Sequence, residues 1–336
     1  MGIRIGWSDG VTIVTKKHVI GFDPSAKGIP NSCNFISHAH GDHTMGLSKG
    51  NKSYLTAETG DILHFGGKRS LEDYNSLKYG ETVAVDNLKI TARNAGHILG
   101  SAQFEIQTPD SSIVYTGDIN CRDMLTTSAA EAIPCDILIL ETTYGNPFYV
   151  FPSPEEVYAE IVGWTLGQIH EGKIPTFKVY STGKAQEIIR LINRFTTIPV
   201  VAHPTISKIS EAYEKNGVEL AYTDSNSAEG REILKDKQCV YVTSSNEDVL
   251  TNEDYSPAIA TGWAMRFKSS ATCTAFPLSN HADFNQLLNY VEQVKPERVY
   301  TVHGFRDDFG KYIQKKLGIS ARPIIPLSQK HLMEYL

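Results

Sequence analysis

The chain of 336 residues is short of cysteine, of long apolar runs and of excess positive charge. Its five cysteines, Cys33, Cys121, Cys135, Cys239 and Cys273, are odd in number, widely spaced and without a CxxC pair. That pattern argues against a disulfide framework and against a cysteine zinc knuckle. No uncharged apolar stretch approaches the roughly 20 residues that a membrane helix needs. The opening Met1-Gly2-Ile3-Arg4-Ile5-Gly6 carries no apolar signal core, and Gly6 stands where a myristoylation signal needs Ser or Thr. The formal net charge of −6, from 32 basic and 38 acidic residues, lends no bulk support to a nucleic-acid clamp and leaves a local basic groove open. The expectation is a soluble, cytoplasmic protein without a membrane partner. With 41% hydrophobic and 21% charged residues, disorder and fibrous repeats are excluded as the overall class. At roughly 100–200 residues per domain, the length suggests two domains.

What is present falls into two textures, the first of them in two stretches. Residues up to 145 read as short strands between Gly, Asn and Asp turns, including Val11–Val14, Asn34–Ser37, Leu88–Ala92, Phe104–Gln107, Ile113–Thr116 and Ile137–Leu140. Asp61–His64 and Ala129–Ala132 are short helical candidates. From Ser153, followed by Pro154-Glu155-Glu156, the pattern becomes helical to His170. Strands at Thr176–Tyr180, Pro199–Ala202, Cys239–Thr243 and Ala258–Thr261 then alternate with helices at Gly183–Phe195 and Ile206–Asn216, which suggests a parallel α/β unit. The first texture returns near Asn280. The expected organisation is therefore one domain of residues 1–145 and 280–336, with a second inserted at 146–279.

The chemistry concentrates in His38-Ala39-His40-Gly41-Asp42-His43, four ligand-type side chains within six residues. Imidazole and carboxylate suit zinc and similar first-row ions. In a loop after a strand, His38 and His40 can face one ion while Asp42 and His43 turn toward a second. His97, Asp118 and His303 each stand beside glycine at a strand end. Singly, each is more often structural; with the cluster, they make seven candidate metal ligands. His18, His64, His170, His203 and His331 are read as structural.

The order HxHxDH, then His, then Asp, then His, resembles the hydrolase pattern of the metallo-β-lactamase fold superfamily. The resemblance implies an αββα sandwich of class α/β. It implies that His38, His40 and His97 hold one zinc and that Asp42, His43 and His303 hold another, with Asp118 bridging; Mn2+ or Fe2+ are alternatives to the two Zn2+. Asp23, in Gly21-Phe22-Asp23-Pro24, matches an early supporting aspartate of that family. Two ions about 3.5–4 Å apart would activate a bridging hydroxide as nucleophile. Glu141-Thr142-Thr143-Tyr144-Gly145 and Pro277-Leu278-Ser279-Asn280-His281-Ala282-Asp283 bracket the expected insert, and this resembles the β-CASP nucleases. There, the glutamate matching Glu141 orients the histidine matching His281, a general acid on the leaving oxygen, so Asp42, Glu141 and His281 are the implied catalytic residues.

Thr261-Gly262-Trp263-Ala264-Met265-Arg266 looks like that family's phosphate-contacting loop, with Thr261, Gly262 and Arg266 as candidates. Ser181–Glu187 opens a helix, where a phosphate site and an ordinary capped helix are both open readings. The TGW loop, the following HAD pattern and the length are similar to the ligase-associated or mRNA 3′-end-processing-like exonucleases, although Asn280 stands where that branch has Asp. The implied activity is a dinuclear-zinc nuclease on single-stranded RNA or DNA, with a homodimer as the partner state to test. Two other readings are a metal-dependent hydrolase of small esters such as lactones or β-lactams, and a non-catalytic scaffold. The intact ligand set speaks against the scaffold.

Overall fold

Alternation with period two sorts the strands of the first region onto two faces. Ile113, Tyr115 and Ile139 join one buried core, while their neighbours Val114, Leu138 and Leu140 join another. A strand with both faces buried reads as the near-continuous apolar run seen at Ile137–Leu140.

The computed structural model describes residues 3–15, 18–25, 33–47, 52–67, 74–244, 252–266, 269–270 and 272–327. His331 lies outside the described residues. In chain order the elements are β1 (Arg4–Trp7), β2 (Val11–Val14), β3 (Val19–Phe22), β4 (Cys33–Phe35), β5 (Lys52–Thr56), α1 (Ala57–Phe65), β6 (Tyr74–Leu77), β7 (Thr82–Val85), β8 (Leu88–Asn94), β9 (Ala102–Gln107), β10 (Ser112–Tyr115) and β11 (Ile137–Glu141). There follow α2 (Pro154–His170), β12 (Ile174–Val179), α3 (Lys184–Phe195), β13 (Val200–Ala202), α4 (Pro204–Lys215), β14 (Thr223–Asp224), α5 (Ala228–Asp236), β15 (Val240–Ser244), β16 (Tyr255–Ala260) and β17 (Thr274–Phe276). The chain closes with α6 (Phe284–Val294), β18 (Arg298–Val302), α7 (Arg306–Leu317) and β19 (Ser320–Pro323). Among the described residues, no helix is long and apolar enough to cross a membrane.

The chain divides into two units: Met1–Asp123 with Ala129–Phe148 and His281–Leu336, and Met124–Ser128 with Tyr149–Asn280. The first unit holds two sheets, ordered β1-β2-β3-β4-β5-β6 and β19-β18-β11-β10-β9-β8-β7. Their facing sides enclose Phe22, Phe35, Tyr54, Phe104 and Tyr115, whose rings meet 4.9–5.7 Å apart. Each such side chain stabilises the sandwich by about 1.5–3 kcal/mol through burial. On the outer face of the second sheet, α6 contributes Phe284, Leu287, Tyr290 and Val291, and α7 contributes Phe309 and Ile313. Helix α1 packs on β5 and β6 of the first sheet. The first unit is thus a sandwich of two sheets with helices on its outer faces, the αββα arrangement that the resemblance implies.

The second unit is a parallel sheet ordered β14-β13-β15-β12-β16-β17. Helix α2 starts on a reciprocal cap: the Ser153 hydroxyl accepts the Glu156 amide and Glu156 accepts the Ser153 amide. Residues 124–128, expected in the first domain, cluster here instead. The buried Glu187 carboxylate draws them in, accepting the amides of Leu125 and Thr126 and the Thr126 hydroxyl. Two local expectations also change. Ala129–Ala132 is not helical: its backbone is held by other partners, Ala130 N–H donating to Asn120, with Asn94 and Gln103 side chains donating to Ala129 and Glu131. Strand β17 and helix α5 were not anticipated; α5 buries only Gly230, so it shows no apolar period.

Candidate metal centre

Apart from His281, the ligand-type side chains lie at or just after the C-terminal ends of first-unit strands. Asp23 follows β3, the HxHxDH run follows β4, His97 follows β8, Asp118 follows β10, Glu141 ends β11 and His303 follows β18. Two of these turns use the left-handed backbone region at non-glycine residues, Asp23 at φ 47° and His303 at φ 58°. Such conformations persist only where surrounding contacts hold them. Thr142 does so for the His303 turn, its hydroxyl sharing one proton between the carbonyls of His303 (2.7 Å) and Val302 (3.0 Å). Gly117, at φ 54°, lets the Asp118 turn approach; a Cβ there would sit 2.6 Å from Ser37 Cβ.

Among the described residues, three groups of potential ligand atoms result, each within 4.8 Å: His38, His40, His97 and Asp118; His43, Asp118 and His303; and Asp118, Glu141 and His281. Asp118 belongs to all three. Its Oδ2 lies 3.6 Å from His38 Nε2, 3.5 Å from His43 Nε2, 3.8 Å from His97 Nε2 and 4.0 Å from His281 Nε2. His40 Nδ1 stands 3.0 Å from His38 Nε2 and 3.2 Å from His97 Nε2. Imidazole nitrogens converging on a shared carboxylate are the donor chemistry of a divalent-cation site. Asp42 stands outside the three groups: its carboxylate is 3.6 Å from His43 Nε2, but its side chain is 80% exposed. Cys121 joins none of them either, and burial, with Glu141 and Asp283, pushes its thiol up to about 12.

The electrostatics ask for positive charge. Burial, with the imidazoles of His43, His40, His97 and His281, holds His38 far below its ordinary value, so it is neutral with a lone pair to offer. Burial also opposes protonation of His43, yet Asp118, Asp23 and Asp42 raise it to about 10. A proton on His43 and a cation among these carboxylates answer the same field. Glu141 is fully buried; burial would raise its carboxyl, but His281 and the Thr143 contacts win and lower it. It accepts His281 Nδ1 at 3.0 Å, the Thr143 amide at 2.8 Å and the Ile119 amide at 3.3 Å. The Ala282 amide donates to Ile119 O at 2.7 Å, which clamps the His281 turn beside Asp118.

The structure thus brings His38, His40, His43, His97, Asp118, His303, Glu141 and His281 together. Thr261, Gly262 and Arg266 belong to the second unit, where Thr261 caps a short 3-10 turn and Arg266 is exposed. Trp263 packs edge-on against Tyr149 at 5.3 Å. At the start of α3, Gln186 accepts the Gly183 amide and donates to Ser181 O and Ser210 Oγ. Ser37, Tyr115 and Thr142 were not anticipated. Ser37 directly precedes the histidine cluster and Thr142 directly follows Glu141, so these two had a local signal and Tyr115 had none.

The comparisons with known proteins agree with this geometry. Residues 271–325 match the family described as Zn-dependent metallo-hydrolase RNA specificity domain. A probable DNA ligase of Opitutus terrae is 31% identical over 85% of this chain, which spans 28% of that protein. An RNase J-like protein of Methanocaldococcus jannaschii is 24% identical over 81% of each chain. A solved Enterococcus faecalis protein of unknown function shares the fold, with a TM-score of 0.67 at 17% identity, covering 96% of this chain and 97% of that one.

Proposed function

We propose that this chain, which belongs to the β-CASP nuclease branch of the metallo-β-lactamase superfamily, is a dinuclear metal-dependent phosphodiesterase that cuts single-stranded RNA or DNA. His38, His40 and His97 would hold one zinc ion, Asp42, His43 and His303 a second, and Asp118 both. Such ions, when bound, supply an activated water and offset the charge growing on a phosphoryl oxygen.

The carrying observation is the His281–Glu141 pair. Its Nδ1 is held by a buried carboxylate at 3.0 Å, and its Nε2 is turned to within 4.0 Å of Asp118. Glu141 stabilises the imidazolium and fixes its ring, and the Nε2 proton is then delivered to the leaving sugar oxygen. Residues 146–279 are assigned as the inserted β-CASP domain, with Thr261, Gly262 and exposed Arg266 contacting substrate phosphate.

The test is cleavage of 5′-labelled single-stranded RNA and its DNA counterpart by metal-loaded protein, with Asp118→Ala beside it. Asp118-dependent cutting is expected, and the product ladder gives the polarity. Turnover of a lactone panel with no cutting of either strand would overturn the reading.

A further inference from the structure

Asp23 and Ser37 stand behind the ligand groups and belong to none of them. Asp23 Oδ2 accepts the Ser37 hydroxyl at 2.5 Å, the Tyr115 hydroxyl at 2.8 Å and His43 Nδ1 at 2.9 Å. Its Oδ1 accepts the Ser37 amide at 2.6 Å. The Ser37 hydroxyl oxygen is also 2.9 Å from His38 Nδ1. A serine hydroxyl has one proton to give. Ser37 gives it to Asp23, so His38 must be the donor in its own contact with Ser37. The His38 proton is therefore on Nδ1, and the lone pair on Nε2 faces His40 and Asp118. His43 donates its Nδ1–H to Asp23, which leaves its Nε2 facing Asp118.

We infer that Ser37 is a positioning residue that extends the hold of Asp23 to His38, so that one carboxylate orients a ligand in each of two metal groups. His43 is oriented directly and His38 through the hydroxyl. This rests on the metal-centre reading above. The arrangement is asymmetric. Loss of the hydroxyl frees His38 alone, whereas loss of the carboxylate charge loosens both histidines. Outer hydrogen-bond partners of this kind are typically worth 10–100-fold in metal affinity.

The experiment titrates Co2+ into the chelator-stripped full chain, in competition with a chromophoric chelator, and follows the cobalt ligand-field bands. The wild type should show two binding steps. Ser37→Ala, which shortens a buried side chain and should fold, should weaken one step about 10–100-fold and leave the other, with its band, near wild type. Asp23→Asn keeps a residue tolerant of the left-handed backbone and should weaken both steps. Ser37→Ala with two wild-type steps, or with both weakened equally, would overturn the relay through Ser37. A wild-type chain that takes up no Co2+ would overturn the metal-centre reading and this inference with it; the variants cannot produce that result on their own.

Discussion

Two buried clusters of ionisable groups, one in each unit, are built on opposite plans. In the first unit the polar groups are tied down from behind, Nδ1 of His38, His43 and His281 each bonded to a partner, so that their Nε2 atoms are turned toward one carboxylate. In the second unit the groups at the start of α3 turn inward on the protein itself. Glu187 accepts two amides and the hydroxyls of Thr126 and Tyr158, and Gln186 bonds its own loop and Ser210. The lesson is that burial of charge does not mark a reactive site. What marks it is a set of lone pairs left over after the supporting bonds are made.

The sharpest way to break the contrast is to remove the shared carboxylate. Asp118→Ala should abolish cleavage by roughly 10³-fold or more, the scale of losing a core member of a catalytic group. It should also lower metal content measured by atomic absorption. His281→Ala should reduce kcat by about 10²–10⁴-fold, as expected for a lost general acid. Its metal content should stay at the wild-type level, because the two ligand groups around His38 and His43 do not need it. Metal loss in that variant would move His281 from proton donor to ligand.

The same surgery in the second unit should read out as stability. Glu187→Gln removes the charge that four donors share, and should cost about 2–4 kcal/mol of unfolding free energy by chemical denaturation. Co2+ binding steps should be unmoved. The smallest effect belongs to Lys184, whose Nζ is buried without a hydrogen-bond partner among the described residues. Burial lowers its ammonium from the ordinary 10.5 to about 7, although Glu187 pulls the other way. Below pH about 7 the folded chain carries this buried charge in full, and the cost fades as pH rises toward the unfolded-state value. Lys184→Met should therefore stabilise the protein by about 1–3 kcal/mol at pH 7. The gain should shrink steadily up to pH 10.5. A gain independent of pH would mean that packing, not charge, limits this site.

Legibility in the sequence follows the distance between partners. His38, His40 and His43 could be read because they lie within one loop, and His97, Asp118 and His303 because each sits beside glycine at a strand end. The strands that carry the sandwich core, such as Ile113–Thr116, were legible as short runs between turns, while the two faces onto which they sort their side chains appear only in the structure. Tyr115 was invisible as a supporting residue because its partner Asp23 is 92 positions away. The bonds of Thr142 were equally hidden, made to carbonyls at positions 302 and 303. Ala129–Ala132 misled because alanines favour helix, while side chains from β8 and β9 supply their backbone with other partners. Asp42 was read as a ligand from its neighbours, and its exposure sets it apart from the other six.

The first unit is interrupted in sequence, and this sets a clock on its assembly. Strand β11 pairs in parallel with β18, which brings Glu141 opposite Val302, the residue before His303. A ribosome adding about 5–20 residues per second therefore takes roughly ten to thirty seconds to pass from one strand to the other. During that interval β11 is an unpaired sheet edge, an invitation to wrong pairing. The second candidate ligand group lacks His303, and His281, the proposed acid, is not yet made. On the proposed reading, a nascent chain cannot cut a phosphodiester until its sandwich closes, which would confine that chemistry to chains in which β11 and β18 have paired.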